Sequence, residues 1–162
     1  MKVITAPQKI DSIDKPTVFL AGGITNCPEW QDELILQLKD VESAVLLNPR
    51  RKNFPIDDPN AAQEQIAWEF QALEQANIFS MWFSDSDSDQ PICMYELGRN
   101  VALRKNNINS IVIGVEEGYS RSQDVEIQMS LINKKISSRI SNNLNQHAFN
   151  ILGAISAYQN RK

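Results

Sequence analysis

Four short apolar runs punctuate the chain: Thr17-Val18-Phe19-Leu20-Ala21, Ala44-Val45-Leu46-Leu47, Ile78-Phe79-Ser80-Met81-Trp82-Phe83 and Ser110-Ile111-Val112-Ile113-Gly114-Val115. Stretches of helical periodicity separate them. Runs without polar alternation belong to strands buried on both faces, and such strands need helix-length crossovers to stay parallel. A right-handed succession of βαβ units follows, with helices covering both faces of a parallel sheet. The expected fold class is therefore α/β, a three-layer sandwich, and ligands of such sheets bind beyond the carboxyl ends of the strands.

The helices can be placed by the same reasoning. Gly22-Gly23 closes the first run, Asn26 or Cys27 is expected to cap a helix with Pro28 and Glu29 in its first turn, and Trp30, Leu34, Leu38 and Val41 share one face of it. The second run ends in Asn48-Pro49-Arg50-Arg51. A proline-rich loop over 53–60 precedes a helix over 61–76, with Ile66, Phe70 and Leu73 read as inward. The Ser84–Asp89 loop follows the third run, and a helix is expected beyond it. Val125, Met129 and Ile132 mark another helical face; 136–140 alternates like a short edge strand. Leu144, Ala148, Ile151, Ile155 and Tyr158 mark a C-terminal helix over 142–160.

Composition limits the function classes. A chain of 162 residues with 42% hydrophobic and 22% charged residues fits one domain, 1–162, with 1–16 as an N-terminal extension. A net charge of −4 argues against a nucleic-acid polymer as partner and leaves a small nucleotide open. Cys27, Cys93 and the single histidine, His147, have no metal-ligand spacing, so reduced thiols and no metal or cofactor are expected. Residues 1–16 lack a signal-peptide core, and no run approaches the ~20 apolar residues of a membrane span. A cytoplasmic protein without membrane contact is the resulting expectation.

The most informative chemistry lies in Gln90-Pro91-Ile92-Cys93-Met94-Tyr95-Glu96-Leu97-Gly98, where an acid, Glu96, sits among apolar residues at the ligand-binding edge. Together with Val18-Phe19-Leu20-Ala21-Gly22-Gly23-Ile24, Leu47-Asn48-Pro49-Arg50-Arg51 and Trp68-Glu69-Phe70-Gln71-Ala72-Leu73, it resembles nucleoside 2-deoxyribosyltransferase-like proteins, in the branch with the Asn-Pro-Arg-Arg loop. The resemblance spans residues 17 to 133. It implies a flavodoxin-like (Rossmann-like) sheet of about five strands in order 2-1-3-4-5, and a homo-oligomer with small-molecule nucleosides or nucleotides as partners. It also implies that Glu96 is a nucleophile forming a covalent glycosyl intermediate, favoured in ionised form by its helix amino terminus, while Gly98 lets that helix pack closely.

Under the same resemblance Glu69 replaces an aspartate that assists the leaving base, and Phe19 replaces a tyrosine that orients the nucleophile, a role open to Tyr95. Gln90 stands where relatives carry an aspartate or serine for the 5′ substituent, with Asp89 beside it. Gly22, Gly23, Asn48, Arg50, Asp89, Gln90, Gly98 and Asp124 complete the expected substrate-binding set, Arg50 as a phosphate ligand and Asp124 as a residue reaching a neighbour's site. Trp68, Trp82 and Phe83 are read as core or interface, with base stacking as the alternative. A nucleoside or nucleotide N-glycosyl enzyme is the implied activity; the alternatives are an NAD-type glycohydrolase or a catalytically silent nucleotide-binding module, since Phe19, Gln90 and Glu69 depart from the pattern.

Overall fold

The computed structural model describes residues 1–161. Strands β1 (Lys2–Thr5), β2 (Thr17–Gly22), β3 (Val45–Asn48), β4 (Ile78–Phe83) and β5 (Ile111–Val115) form one all-parallel sheet in the order β1-β3-β2-β4-β5. The helices are α1 (Trp30–Gln37), α2 (Ala61–Gln75), α3 (Pro91–Leu103), α4 (Ser122–Ile132), α5 (Lys134–Ser137) and α6 (Leu144–Gln159).

Side-chain alternation along the strands sorts the core into two layers. Phe19, Ala21, Phe79, Met81, Phe83 and Ile113 point to the face covered by α2, α3 and α4, through Ala72, Leu73, Leu97, Val101, Val125 and Met129. Val18, Leu20, Ile78, Trp82 and Val112 point to the opposite face, covered by Trp30 and Leu34 of α1 and Ala148, Ile151 and Ile155 of α6. Each large side chain so buried contributes about 1.5–3 kcal/mol. The result is the expected three-layer sandwich.

The strand order corrects one expectation. The four runs read from sequence do stand in the relative order expected of them, but the fifth strand is β1 from the N-terminal segment, pairing Val3 with Leu46 and Ile4 with Leu47 at the far edge. The segment expected as an edge strand instead begins with α5: the Asn133 side chain accepts a hydrogen bond from Lys135 N at 2.9 Å, and Ile136 packs into the core. Only Ser141, just beyond it, bridges to β5, opposite Gly114. Two short segments of mixed polarity thus exchanged roles, because edge position depends on what lies beside them and not on their own pattern.

Three packing expectations also change. Asn26 adopts φ +57° in a turn, so α1 starts only at Trp30 with Glu29 before it. In α2 the inward residues are Ala61, Trp68, Ala72 and Leu73, whereas Ile66 and Phe70 are 65% and 58% exposed. Ile132 of α4 is exposed as well. The core reading of Trp68, Trp82 and Phe83 holds, since all three are buried within the chain's own core, and the alternatives of a shared surface or a stacked base fall away.

The same packing explains the single histidine. His147 lies fully buried between Ser80 Oγ, 2.8 Å from Nε2, and Ser141 Oγ, 2.9 Å from Nδ1. Burial drives its pKa down to about 3, so it is a neutral connector between α6 and the sheet.

Candidate active site

The order of strand addition reverses at β2: the next strand, β3, lies on one side of it and the one after, β4, on the other. Such a switch point leaves a crevice beyond the strand ends. A cavity of about 690 Å³ occupies it, walled by the end of β2, the loop after β3, the inner side of α2 and the start of α3.

The floor is made by glycine for steric reasons. Gly22 has φ +152°, and a Cβ there would stand 2.3 Å from the Trp82 carbonyl oxygen and 2.4 Å from the Trp30 ring. Only glycine fits. Gly23 is also part of the lining, but its N–H donates to Gln90 Oε1 at 3.2 Å and so serves the loop before it can serve a ligand.

Gln90 carries more structure than its sequence position suggested. It adopts a left-handed conformation, φ +48°, immediately before Pro91 opens α3. Its buried amide accepts from Gly23 and donates to Ser84 O at 2.8 Å, tying the loop after β4 to the end of β2. A non-glycine residue held at positive φ in a cavity wall is strain maintained by its surroundings, a feature that gathers at functional sites.

Glu96 and Glu69 meet here, one from α3 and one from α2, both lining the cavity. Burial chiefly, and the Glu69 charge after it, push Glu96 up to about 7, with Arg99 offsetting part of the rise. Glu69 is raised as well, chiefly by burial, against a 2.7 Å hydrogen bond from Gln65 Nε2 and the field of Arg51. The expected helix-dipole effect on Glu96 does not prevail. Glu96 is beyond the first turn of α3, where the dipole has faded, and ~0.3–1 kcal/mol could not cancel a burial shift of this size. Gly98 is not a packing contact either, since a Cβ there would meet nothing within 4 Å.

The remaining expected residues fall into two groups. Gly22, Gly23, Gln90, Glu69 and Glu96 converge on the cavity; Asn48, Arg50, Asp89, Gly98 and Asp124 do not line it. Asn48 Oδ1 accepts from Arg50 N at 3.0 Å and shapes the turn after β3. The Arg50 guanidinium reaches back to Gln31 Oε1 at 2.9 Å and to the carbonyls of Pro28, Ile24 and Cys27, clamping the loop between β2 and α1. Asp89 accepts from Ser120 Oγ at 3.2 Å, and Asp124 pairs with Arg121 at 3.0 Å. Tyr95 is 68% exposed and outside the lining, so it does not replace the tyrosine whose place Phe19 takes.

One consequence concerns Arg50. Truncation to Ala strands several carbonyl acceptors and is expected to cost about 1–3 kcal/mol of stability by urea unfolding, while changing affinity for phosphorylated and unphosphorylated ligands in parallel. Selective loss of the phosphorylated ligand would instead give Arg50 a binding role.

Arg51, Gln65 and Cys93 are cavity residues outside the expected site set. Arg51 was overshadowed by its neighbour, and it is the second arginine of the pair that lines the cavity while bonding Glu64 Oε2 at 2.7 Å. Gln65 lies one helical turn before Glu69, a spacing that could have exposed it. Cys93, one turn before Glu96, is a buried thiol pushed up to about 12 chiefly by burial, with the nearby Glu96 charge adding to it. No nucleophilic thiolate is present there at neutral pH. Among the described residues, no group of three or more His, Cys, Asp or Glu could hold a metal ion, and no helix is long and apolar enough to cross a membrane.

A parallel α/β sandwich with two coupled carboxyls in the crevice at its switch point defines a class of sites suited to acid-assisted displacement at a carbon centre. The chain belongs to the nucleoside 2-deoxyribosyltransferase like family, whose model matches residues 15–119, a range that holds Glu69, Glu96 and the whole cavity lining. No curated protein matches the chain.

Proposed function

We propose that the chain is a nucleoside or nucleotide N-glycosyl enzyme, a 2-deoxyribosyltransferase or N-glycoside hydrolase. The observation that carries it is the pairing of Glu96 and Glu69 in one mostly apolar cavity at the switch point. Family membership supports an activity of this general kind, and the pair offers two carboxyls that such a reaction could use.

In this reading an ionised Glu96 oxygen attacks C1′ as the C1′–N bond breaks, the bonding electrons go to the base, and protonated Glu69 delivers its proton to the departing base. A glycosyl ester on Glu96 results. An acceptor base or water then attacks C1′, its proton passes to Glu69, and the Glu96 carboxylate leaves with its electron pair. Burial raises Glu69, the direction an acid needs, but the larger rise is that of Glu96, so in the free site the shared proton rests mainly on Glu96 and passes to Glu69 before the attack. For Glu96 a value of about 7 means that ionisation is incomplete at neutral pH, until the positive charge growing at C1′ stabilises the carboxylate.

A silent binding module is the second reading. It is favoured by Phe19 in the cavity wall and by the lack, among the described residues, of a side-chain donor holding the Glu96 carboxyl. Incubation with 2-deoxynucleosides, their 5′-monophosphates and NAD, with and without an acceptor base, followed by chromatography, decides between the two. Exchanged or free base supports the enzyme, and its release from NAD alone moves the reading to an NAD-type glycohydrolase. Binding without any product supports the module. Assembly as a homo-oligomer and a cytoplasmic location belong to the same proposal.

A further inference from the structure

The carboxyl pair gives a nucleoside in the cavity a direction. In the proposed reaction C1′ stands at Glu96 and the departing base at Glu69 of α2, so the base lies toward α2 and the loop after β3, where Phe54, Ile56 and Ile66 line the cavity. Base and C5′ leave the sugar ring at opposite ends. The C5′ end then falls toward the other side of β2, where Gly23 and Thr25 meet Ser88 and Gln90 of the loop after β4.

That wall is poor in anything that holds an anion. The charged residues of the lining are Arg51, Glu69 and Glu96, and the Arg51 side chain is only 7% exposed and bonded to Glu64 at 2.7 Å, which leaves it almost no surface for a ligand. The guanidiniums nearby are engaged elsewhere, Arg50 with the carbonyls of Pro28, Ile24 and Cys27 and Arg121 with Asp124 and Asp89. Behind the wall, Asp85, Asp87 and Asp89 are all exposed.

Backbone donors are closed off as well. Gly23 N–H is held by Gln90 Oε1 at 3.2 Å, the Gln90 Nε2 donates to Ser84 O at 2.8 Å and to Ser86 Oγ at 3.4 Å, and Pro91, which opens α3, has no N–H. Neutral hydroxyls remain. Thr25 is exposed at the cavity, and half-buried Ser88 accepts from Gln90 N at 3.2 Å while keeping its own proton to donate.

We propose that Thr25 and Ser88 receive the sugar's 5′-hydroxyl and that Gln90, by occupying Gly23 N–H, sets the preference for free nucleosides over their 5′-monophosphates. This rests on the reading of the cavity as a nucleoside site. A 5′-hydroxyl both donates and accepts, and so do the two hydroxyls it meets. A phosphate in the same place brings a charge of about −1.5 to −2 and three acceptor oxygens. They would meet the Gln90 oxygen where an N–H donor is needed, in a cavity that already holds two carboxyls.

The test is calorimetric binding to Glu96→Gln, which holds intact substrate and lacks one of the repelling charges, using 2-deoxyadenosine and 2-deoxycytidine against their 5′-monophosphates. Each nucleoside should bind at least about tenfold tighter, and the gap should narrow between about 0.01 M and about 0.1 M ionic strength as repulsion is screened. Two added substitutions locate the cause. Thr25→Lys places a cation on an exposed position and should bring the monophosphates within about threefold or ahead. Gln90→Gly suits the left-handed backbone, frees Gly23 N–H and should narrow the gap at least about threefold, with thermal melts confirming both folds. If Gln90→Gly fails to fold, Thr25→Lys and the ratio without it still decide. Monophosphates that bind as tightly as nucleosides, or lose affinity as salt rises, overturn the preference and, with wild-type turnover present, leave the glycosyl reading standing. A ratio unmoved by the folded variants overturns the assignment to this wall. No binding of any nucleoside or monophosphate, and no product from wild type, overturn both.

Discussion

Replacing Glu96 by Gln should abolish turnover and at the same time stabilise the protein above pH 7. In the proposed reaction the first effect follows from removing the nucleophilic oxygen without changing side-chain volume; a fall in kcat of at least about a thousandfold is expected. The second follows from linkage. A carboxyl whose folded-state pKa rises from the ordinary 4.5 to about 7 favours folding below about 4.5, and that contribution is lost as pH climbs through 7. At pH 8 the wild type therefore carries a buried charge that the amide lacks. The shift sets a ceiling of about 3 kcal/mol, and solvent reaching the cavity reduces it to about 1–2 kcal/mol. Urea unfolding at pH 5 and pH 8 reads this directly: the variant gains over wild type at pH 8 and much less at pH 5. Retained turnover would remove Glu96 as nucleophile, and a gain independent of pH would mean that its burial is not the cause.

The second large effect is expected at Glu69. If Glu69 is the proposed acid, changing it to Gln removes the proton donor for the leaving base and should lower kcat by about 10²–10⁴-fold on natural substrates. A 2-deoxyriboside with a nitrophenolate leaving group needs no such proton, and its cleavage should largely survive. The pH profile gives a further sign. Glu69 raises the Glu96 pKa through its charge, second only to burial, so its removal lets Glu96 ionise more easily. The acid limb of kcat/KM, expected near pH 7 in wild type, should move to lower pH. An equal loss on both substrates with an unmoved limb would make Glu69 structural, with the 2.7 Å bond from Gln65 as its main purpose.

Much of this was legible in the chain. The apolar runs of β2, β3, β4 and β5 and their parallel order could be read directly, because strands buried on both faces carry their environment in their composition. Glu96 stood out for the opposite reason, as a charge in an apolar stretch, and the elevated pKa is the cost of that placement. Local pattern failed where a partner decides the outcome. Lys2–Thr5 becomes a strand only because the β3 edge is open to it, and of the α2 residues whose spacing predicts burial, Ile66 borders the open cavity and Phe70 is exposed.

The arginine pair marks the boundary most clearly. Sequence determined that two guanidiniums follow β3 and that two carboxyls lie on the helices bordering the same sheet edge. Tertiary structure alone decided that Arg50 turns back onto loop carbonyls while Arg51 enters the cavity wall, and that Gln65 stands beside Glu69 with its oxygen free. The physical reason is that side-chain direction at a loop depends on which acceptors other segments bring near it. Those segments, residues 24–31 for Arg50 and α2 for Arg51, are close only in the folded chain.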